Sequence, residues 1–334
     1  MNVTGKLWLA PLRGVTIRAF RETFAAAIRE AGFAGAFAPF IPANPGIRVG
    51  DRLLDDLRPF PRERLAGTSA LPGTPALPLV PQVITKHPDA MRTLLRAFRE
   101  HGFDRADLNA GCPFPMIVRR GRGSGLLRTP DVLEALLAAG CEEMGPGNFS
   151  LKVRLGVESP DDLRALLPRI NRYPLAALTV HARTAKQMYA GEVDRARFEE
   201  ILAASANPVI YNGDAELDRL GDLPDGVAGV MVGRAFVRAL GARADAGDLL
   251  RAYVARSREE LCGDVPVLGR MKELLTYWCS ARGDARPPVA ARGDARPPVA
   301  ARGDARPPAA PRWRRLWPVV KLCRSVDELL SLIG

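Results

Sequence analysis

The 334-residue chain lacks the features that mark several protein classes. Its five cysteines, Cys112, Cys141, Cys262, Cys279 and Cys323, are irregularly spaced. Neither a disulfide framework nor a zinc site has that spacing, so the reading is a cytoplasmic protein with reduced thiols and no metal. No apolar run reaches the roughly 18 residues that span a bilayer. Met1–Trp8 has no charged segment leading into an apolar one, so no signal peptide is read. A Gly-x-Gly-x-x-Gly turn is missing after the first predicted strand. That position reads Pro11-Leu-Arg-Gly14, which excludes an open dinucleotide-binding sheet.

What is present is an excess of positive charge, +11 with a sequence pI of about 9.9. Over half of it lies from Ala281 to Gly334, where eleven Arg or Lys face five Asp or Glu. Trp313 and Trp317 are interleaved there with Arg312, Arg314, Arg315 and Lys321. That mixture suits a phosphate backbone and stacked bases, so a polyanionic nucleic acid is the expected partner.

Short apolar runs alternate with helical patterns along the first 240 residues. Strands are predicted at Lys6–Leu12, Ala34–Phe40, Pro78–Ile84, Asp104–Ala110, Phe149–Leu155, Ala177–Arg183, Pro208–Asn212 and Gly229–Val232. A helix is predicted over Ile17–Ala31, and a Pro- and Gly-rich loop over Ile41–Leu77. Eight strands with intervening helices match an α/β fold of the (β/α)8, or TIM-barrel, type. The barrel domain is placed at residues 1–243 and the start of a helical region at 244–280. Ala281–Ala310 repeats the decapeptide Ala-Arg-Gly-Asp-Ala-Arg-Pro-Pro-Val-Ala three times, with one change at Ala309. A Pro pair every ten residues excludes helix and sheet, so a disordered linker is expected. A basic helical segment, 311–334, resumes near Trp313 and is expected to break at Pro318.

Most of the residues at the ends of the predicted strands are polar or glycine. They are Pro11, Leu12 and Arg13, then Gln82, Asn109 with Cys112, Lys152 with Arg154, His181 with Arg183, Asn212-Gly213-Asp214, and Gly233-Arg234. Barrel active sites gather at these ends, and inward charged groups need partners. The last two strand ends offer backbone N–H groups and an Arg where barrels bind phosphate. Lys152 and His181 face the same mouth. An anionic, conjugated cofactor such as FMN suits this ring. Cys112 sits where Asp107–Ala110 ends, between Gly111 and Pro113 and ahead of the glycine-rich basic loop Arg119–Gly125. A thiol so placed is held by a strand yet can face a cleft.

These motifs together resemble the tRNA-dihydrouridine synthases, which are FMN-dependent. The matching stretches are Ala10–Thr16, Pro81-Gln82, Asp107–Pro113, Lys152-Val-Arg154, His181–Thr184 with Gln187 and Tyr189-Ala-Gly191, Asn212–Asp214, Gly229–Arg234 and Arg270–Tyr277. The resemblance implies NADPH-driven reduction of the C5–C6 bond of uridines in tRNA, carried out by a monomer. It implies that Cys112 is the general acid. It further implies that Pro11, Leu12, Arg13, Gln82, Lys152, His181, Asn212, Gly213, Asp214, Gly233 and Arg234 hold FMN, while Asn109 and Arg183 face the uracil. Leu12 replaces the family's Met, and the decapeptides interrupt the family's helical tRNA-gripping region. Two other readings fit parts of the pattern: an FMN barrel oxidoreductase on free pyrimidines, and a tRNA-binding protein without catalysis.

Overall fold

The computed structural model describes residues 6–57, 77–279 and 311–333. Ten strands run in chain order: β1 Lys6–Leu9, β2 Phe33–Phe37, β3 Ile41–Pro42, β4 Leu79–Val80, β5 Gln82–Ile84, β6 Ala106–Ala110, β7 Phe149–Gly156, β8 Ala177–Thr184, β9 Val209–Asn212 and β10 Gly229–Val232. Every pairing between neighbours is parallel. β2 and β3 are two pieces of one stave, and β4 and β5 are two pieces of the next. Pro81 separates β4 from β5 because it has no N–H to give a ladder. β2 pairs with β4 and β3 with β5, while β10 pairs with β1, so the sheet closes into eight staves. The predicted (β/α)8 class is the observed one.

Alternate residues of each stave point inward. The lower interior is apolar, formed by Trp8, Phe37, Val80, Ala177, Ile210 and Met231. Trp8 fits because glycines flank its ring: Gly35 is its register partner on β2, and on β10, where its partner is Met231, a Cβ at Gly229 would already lie 3.4 Å from the ring. A Cβ on Gly35 would stand 2.6 Å from the Trp8 ring, so an alanine there would collide with it. This layer closes the barrel below its polar mouth.

The sequence places most helices but misses some breaks. Ile17–Ala31 is two helices, Arg18–Thr23 and Ala25–Glu30, separated at Phe24. Phe20 and Phe24 both pack on Tyr253, at 6.2 and 5.5 Å between ring centroids. Within the expected loop 41–77, β3 is followed by a helix at Asp51–Leu54 and a 3-10 turn at Asp55–Leu57. The rest of that stretch, 58–76, lies outside the described residues.

Beyond the barrel helix Arg234–Gly241, the chain forms helices Ala246–Glu260 and Asp264–Cys279, then Pro311–Val320 and Val326–Ile333. The expected linker, 281–310, lies outside the described residues. The helices on either side of it pack together. Trp313 is buried, 4.9 Å from Trp278, and its Nε1 donates to Gly241 O at 2.7 Å. Lys272 Nζ donates to the carbonyls of Lys321 and Cys323 at 2.9 and 2.7 Å. Two expectations are thereby corrected. Trp313 is a core residue, so it offers no face to a base. The helix also runs through Pro318 to Val320, because a proline near the last turn costs one ladder bond and leaves the packed stripe intact.

Candidate active site

The upper ends of the staves open on a cavity of about 320 Å³. Pockets of this size take small molecules and cofactors. Pro11, Leu12, Arg13, Asn109, Cys112, Lys152, His181, Asn212, Gly213, Asp214, Gly233 and Arg234 all line it. Two of the expected site residues do not. Gln82 is fully buried beneath Asn109, and Arg183 is buried behind the wall, 1% exposed. Arg183 Nη2 donates to Gly191 O at 2.6 Å and pairs with Asp214, so its charge is already met.

Cys112 is fixed through its backbone. Its N–H donates to Asn109 Oδ1 at 2.9 Å, as does the N–H of Gly111 at 3.1 Å. Its carbonyl accepts from Ser124 N at 3.1 Å and Ser124 Oγ at 3.0 Å. The glycine-rich loop explains its composition here. Gly123 has φ +55°, and a Cβ on it would lie 2.7 Å from Cys112 O and 2.8 Å from Cys112 Cβ. That loop therefore packs against the cysteine and is no phosphate cradle. Burial pushes the Cys112 thiol above its ordinary range, against the opposing pull of the Phe114 backbone, Arg154, Arg13 and Lys152. The thiol is thus protonated at neutral pH.

Beneath the cysteine, polar side chains form a chain. Asn109 Nδ2 donates to Gln82 Oε1 at 2.8 Å, Gln82 Nε2 donates to Asp107 Oδ2 at 2.7 Å, and Ser150 Oγ donates to Asp107 Oδ1 at 2.6 Å. Burial raises the Asp107 carboxyl to about 6, against the pull of Ser150, Gln82 and Lys152.

The opposite wall is cationic. Arg13, Lys152, Arg154, Arg219, Arg234 and Arg238 line the cavity, against the acids Asp214 and Glu216. Both acids are held by arginines: Asp214 by Arg234 at 2.6 Å and by Arg183, Glu216 by Arg238 at 2.5 Å. The surplus favours an anionic ligand. Lys152 Nζ donates to Asn212 Oδ1 at 2.9 Å, and Asn212 Nδ2 donates to Met231 O at 2.8 Å. Burial, with Arg154 nearby, draws Lys152 down to about 8. His181 is drawn well below its ordinary value, first by burial and then by Arg154, Lys152, Arg183 and Arg234. It is therefore a neutral imidazole at neutral pH and serves as a hydrogen-bonding group.

Several lining residues had no assigned role from sequence. Arg154 Nε donates to Gly111 O at 2.9 Å and its Nη1 to Thr184 O and Met188 O at 2.9 and 2.6 Å. It thereby pins the Cys112 turn to the loop after β8. Tyr189 lies between Arg154 and Arg234, with guanidinium carbons 5.3 and 5.0 Å from its ring centroid. Tyr277 reaches the cavity from helix Asp264–Cys279, so the helical region helps build the site. The sequence signal for this clamp is that Arg154, Tyr189 and Arg234 all stand in stretches that carry the family resemblance.

A closed parallel barrel with a polar, cationic mouth defines a (β/α)8 enzyme of the kind that holds an anionic ligand at its strand ends. The family model described as dihydrouridine synthase matches residues 8–240, and the chain belongs to that family. It is 29% identical over 238 residues to tRNA-dihydrouridine synthase B of Xanthomonas campestris pv. campestris, covering 70% of this chain and 66% of that protein. It is 33% identical over 168 residues to the probable tRNA-dihydrouridine synthase 2 of Bacillus subtilis, covering 47% and 50%. The chain thus spans about half to two thirds of the length of these curated relatives. Among solved structures, the old yellow enzyme homologue from Zymomonas mobilis gives a TM-score of 0.48 at 13% identity, over 70% of this chain and 85% of that one. No described helix is long and apolar enough to cross a membrane. Among the described residues, no group of three or more His, Cys, Asp or Glu could hold a metal ion.

Proposed function

We propose that the protein is an FMN-dependent tRNA-dihydrouridine synthase that uses NADPH to reduce the C5–C6 bond of uridine in tRNA. The observation that carries this reading is one cavity joining a protonated, backbone-fixed Cys112 to a cationic, glycine-lined wall. The wall fits FMN on two counts. A Cβ at Gly213 would lie 2.9 Å from His181 Cδ2, and one at Gly233 would lie 3.0 Å from Ala10 Cβ, so a larger residue at either position would displace the wall's own His181 or Ala10. The unspent positive charge suits a phosphate. Pro11, Leu12, Arg13, Lys152, His181, Asn212, Gly213, Asp214, Gly233 and Arg234 would hold the cofactor, with Gln82 supporting them from below.

Reduced FMN, when bound, supplies a hydride to one carbon of the uracil double bond. The chain's own part is the proton. Cys112 keeps it on Sγ at neutral pH and can deliver it to the other carbon. Asn109 has both lone pairs of its Oδ1 occupied but one N–H of Nδ2 spare, so it offers a donor to a ligand carbonyl. Arg154 holds the cysteine turn against the loop after β8, and Phe40, Phe114 and Tyr277 give the cavity apolar walls. A uridine must leave its stack to enter, as with other base-modifying enzymes. The net charge of +11 supports a polyanionic substrate. This reading places a monomer in the cytoplasm, where tRNA is modified.

The test is dihydrouridine formation by the purified protein with NADPH, on a tRNA transcript and on free uridine. A yellow protein active on the transcript alone supports the reading. Activity on free pyrimidine sinks the tRNA assignment, and a flavin-free protein that binds tRNA sinks the catalytic one.

A further inference from the structure

Asp107 lies two residues before Asn109 on the same strand, and both side chains point into the barrel. It touches neither the cavity nor Cys112. Its carboxylate accepts hydrogen bonds and donates none. That single fact sets the direction of everything above it. Gln82 must turn its amide nitrogen to Asp107, at 2.7 Å, so its oxygen faces Asn109. Asn109 must then turn its nitrogen to Gln82, at 2.8 Å, so its oxygen faces the Gly111 and Cys112 N–H groups at 3.1 and 2.9 Å. Flip either amide and like poles meet.

We infer that Asp107 is a positioning residue, the buried acceptor that fixes the polarity of the Gln82–Asn109 relay and so holds the Cys112 turn and the spare Asn109 donor in place. Among the described residues, Asp107 Oδ2 is the acceptor that Gln82 Nε2 meets, and Ser150 turns its hydroxyl hydrogen to the other oxygen of the same carboxylate. A neutral acid or an amide at position 107 can donate as well as accept. It permits the reversed relay, in which Asn109 presents N–H to the N–H groups of Gly111 and Cys112 and the turn is released.

Protonation of Asp107 reproduces that loss. Lys152 of β7 is the charged group facing it, and Ser150 and Gln82 are the polar ones. With the carboxyl raised to about 6, the relay is directional above that pH and loses direction as the pH falls through it.

The inference rests on the proposed function for its kinetic readout, and a second readout is independent of it. Asp107→Asn, Ser150→Ala and wild type are purified with their flavin. Amide hydrogen exchange is followed in peptides spanning Gly111 and Cys112, and kcat and KM on tRNA are measured from pH 5 to 9. For Asp107→Asn the expectation is faster exchange at Gly111 and Cys112, an unchanged KM, and kcat lower by about 10- to 100-fold, the scale of a misplaced catalytic group. The acid-side fall of wild-type kcat should vanish in this variant. Ser150→Ala removes a hydrogen bond that favours the carboxylate, so its acid-side fall should move to higher pH. Wild-type exchange together with a wild-type pH profile in Asp107→Asn overturns the inference. If Asp107→Asn does not fold, an unmoved acid limb in Ser150→Ala overturns it instead. If wild type makes no dihydrouridine, the proposed function fails and exchange alone decides the relay.

Discussion

Replacing Cys112 by alanine separates chemistry from structure. The Cys112 backbone is held by Asn109 Oδ1 on its N–H and by Ser124 N and Oγ on its carbonyl, and these stay when the sulfur goes. Only the sulfur's own interaction with the Phe114 backbone is lost. Removing one buried sulfur costs about 1–2 kcal/mol of stability, by the scale of small core truncations. The substitution changes no cofactor residue: Lys152 stands on the neighbouring β7, and the others lie after β1, on β8 and β9, and after β9 and β10. Loss of a general acid costs about 10²–10⁴ in rate, equivalent to about 3–5 kcal/mol of barrier. The rate loss should therefore far exceed the change in stability, with flavin content unchanged. The assay is a single turnover of NADPH-reduced protein with tRNA, alongside urea unfolding and flavin absorbance. pH adds a second arm. The proton-bearing form is the active one, and burial moves its loss above the thiol's ordinary 9.0. Besides the acid-side fall assigned to Asp107, the wild-type rate should hold through neutral pH and fall on the alkaline side as the thiol ionises; the alanine variant should lack the alkaline fall. Less than a tenfold loss in a stable, flavin-loaded variant would refute the assignment of Cys112 as acid.

Arg234→Ala and Lys152→Ala should each release flavin on gel filtration, because each removes a cation from the wall; full flavin in both would place the cofactor elsewhere. Gly233→Ala should likewise weaken flavin retention, since its Cβ meets Ala10 and Leu12 at 3.0 and 3.3 Å, while urea unfolding shifts by no more than about 1–3 kcal/mol. Deleting residues 281–300 should leave flavin content and folding intact, because Cys279 Sγ already lies 3.1 Å from Trp313 O and loop length enters stability by only about 0.6 kcal/mol per doubling. Unfolding of that variant would show that the repeats do more than connect. Arg314→Ala with Arg315→Ala should weaken tRNA binding and flatten its salt dependence; an unchanged slope in a salt titration would remove this helix from the interface.

The staves were legible because they carry local signals. β6 alternates Ala106, Leu108 and Ala110 with Asp107 and Asn109, and Gly111 and Pro113 end it. The mouth was legible for the same reason, since strand ends are where the alternation stops. What was hidden depends on register between staves. Trp8 makes sense only once Gly35 and Gly229 are known to be its neighbours, a fact no single stretch contains. Gln82 read as a mouth residue by its position at a strand end. Its burial follows from Asp107 lying directly across the pairing of β5 with β6. Arg183 follows the same alternation as Arg154 and His181, yet Asp214 and Gly191 O draw it out of the cavity.

The tail shows a different kind of miss, one that periodicity could have prevented. Trp313, Leu316, Trp317 and Val320 fall at i, i+3, i+4 and i+7, which is one face of a helix. Read that way, the two tryptophans belong to an apolar stripe, and the arginines between them fall off it. The structure has this arrangement: Trp313 and Val320 are buried, Leu316 and Trp317 are half-buried, and Arg315 is exposed. Arg312 is spent on the Ile333 carbonyl. The expected break at Pro318 separates Trp313, Leu316 and Trp317 from Val320 and so divides the stripe. The consequence for function is specific. Base stacking by Trp313 is excluded by its contacts with Trp278 and Gly241 O, which leaves Arg314 and Arg315 on this helix and Lys321 just after it as the groups that can meet phosphates, beside the half-buried Trp317. Phosphate contacts of this kind follow the backbone and not the base sequence.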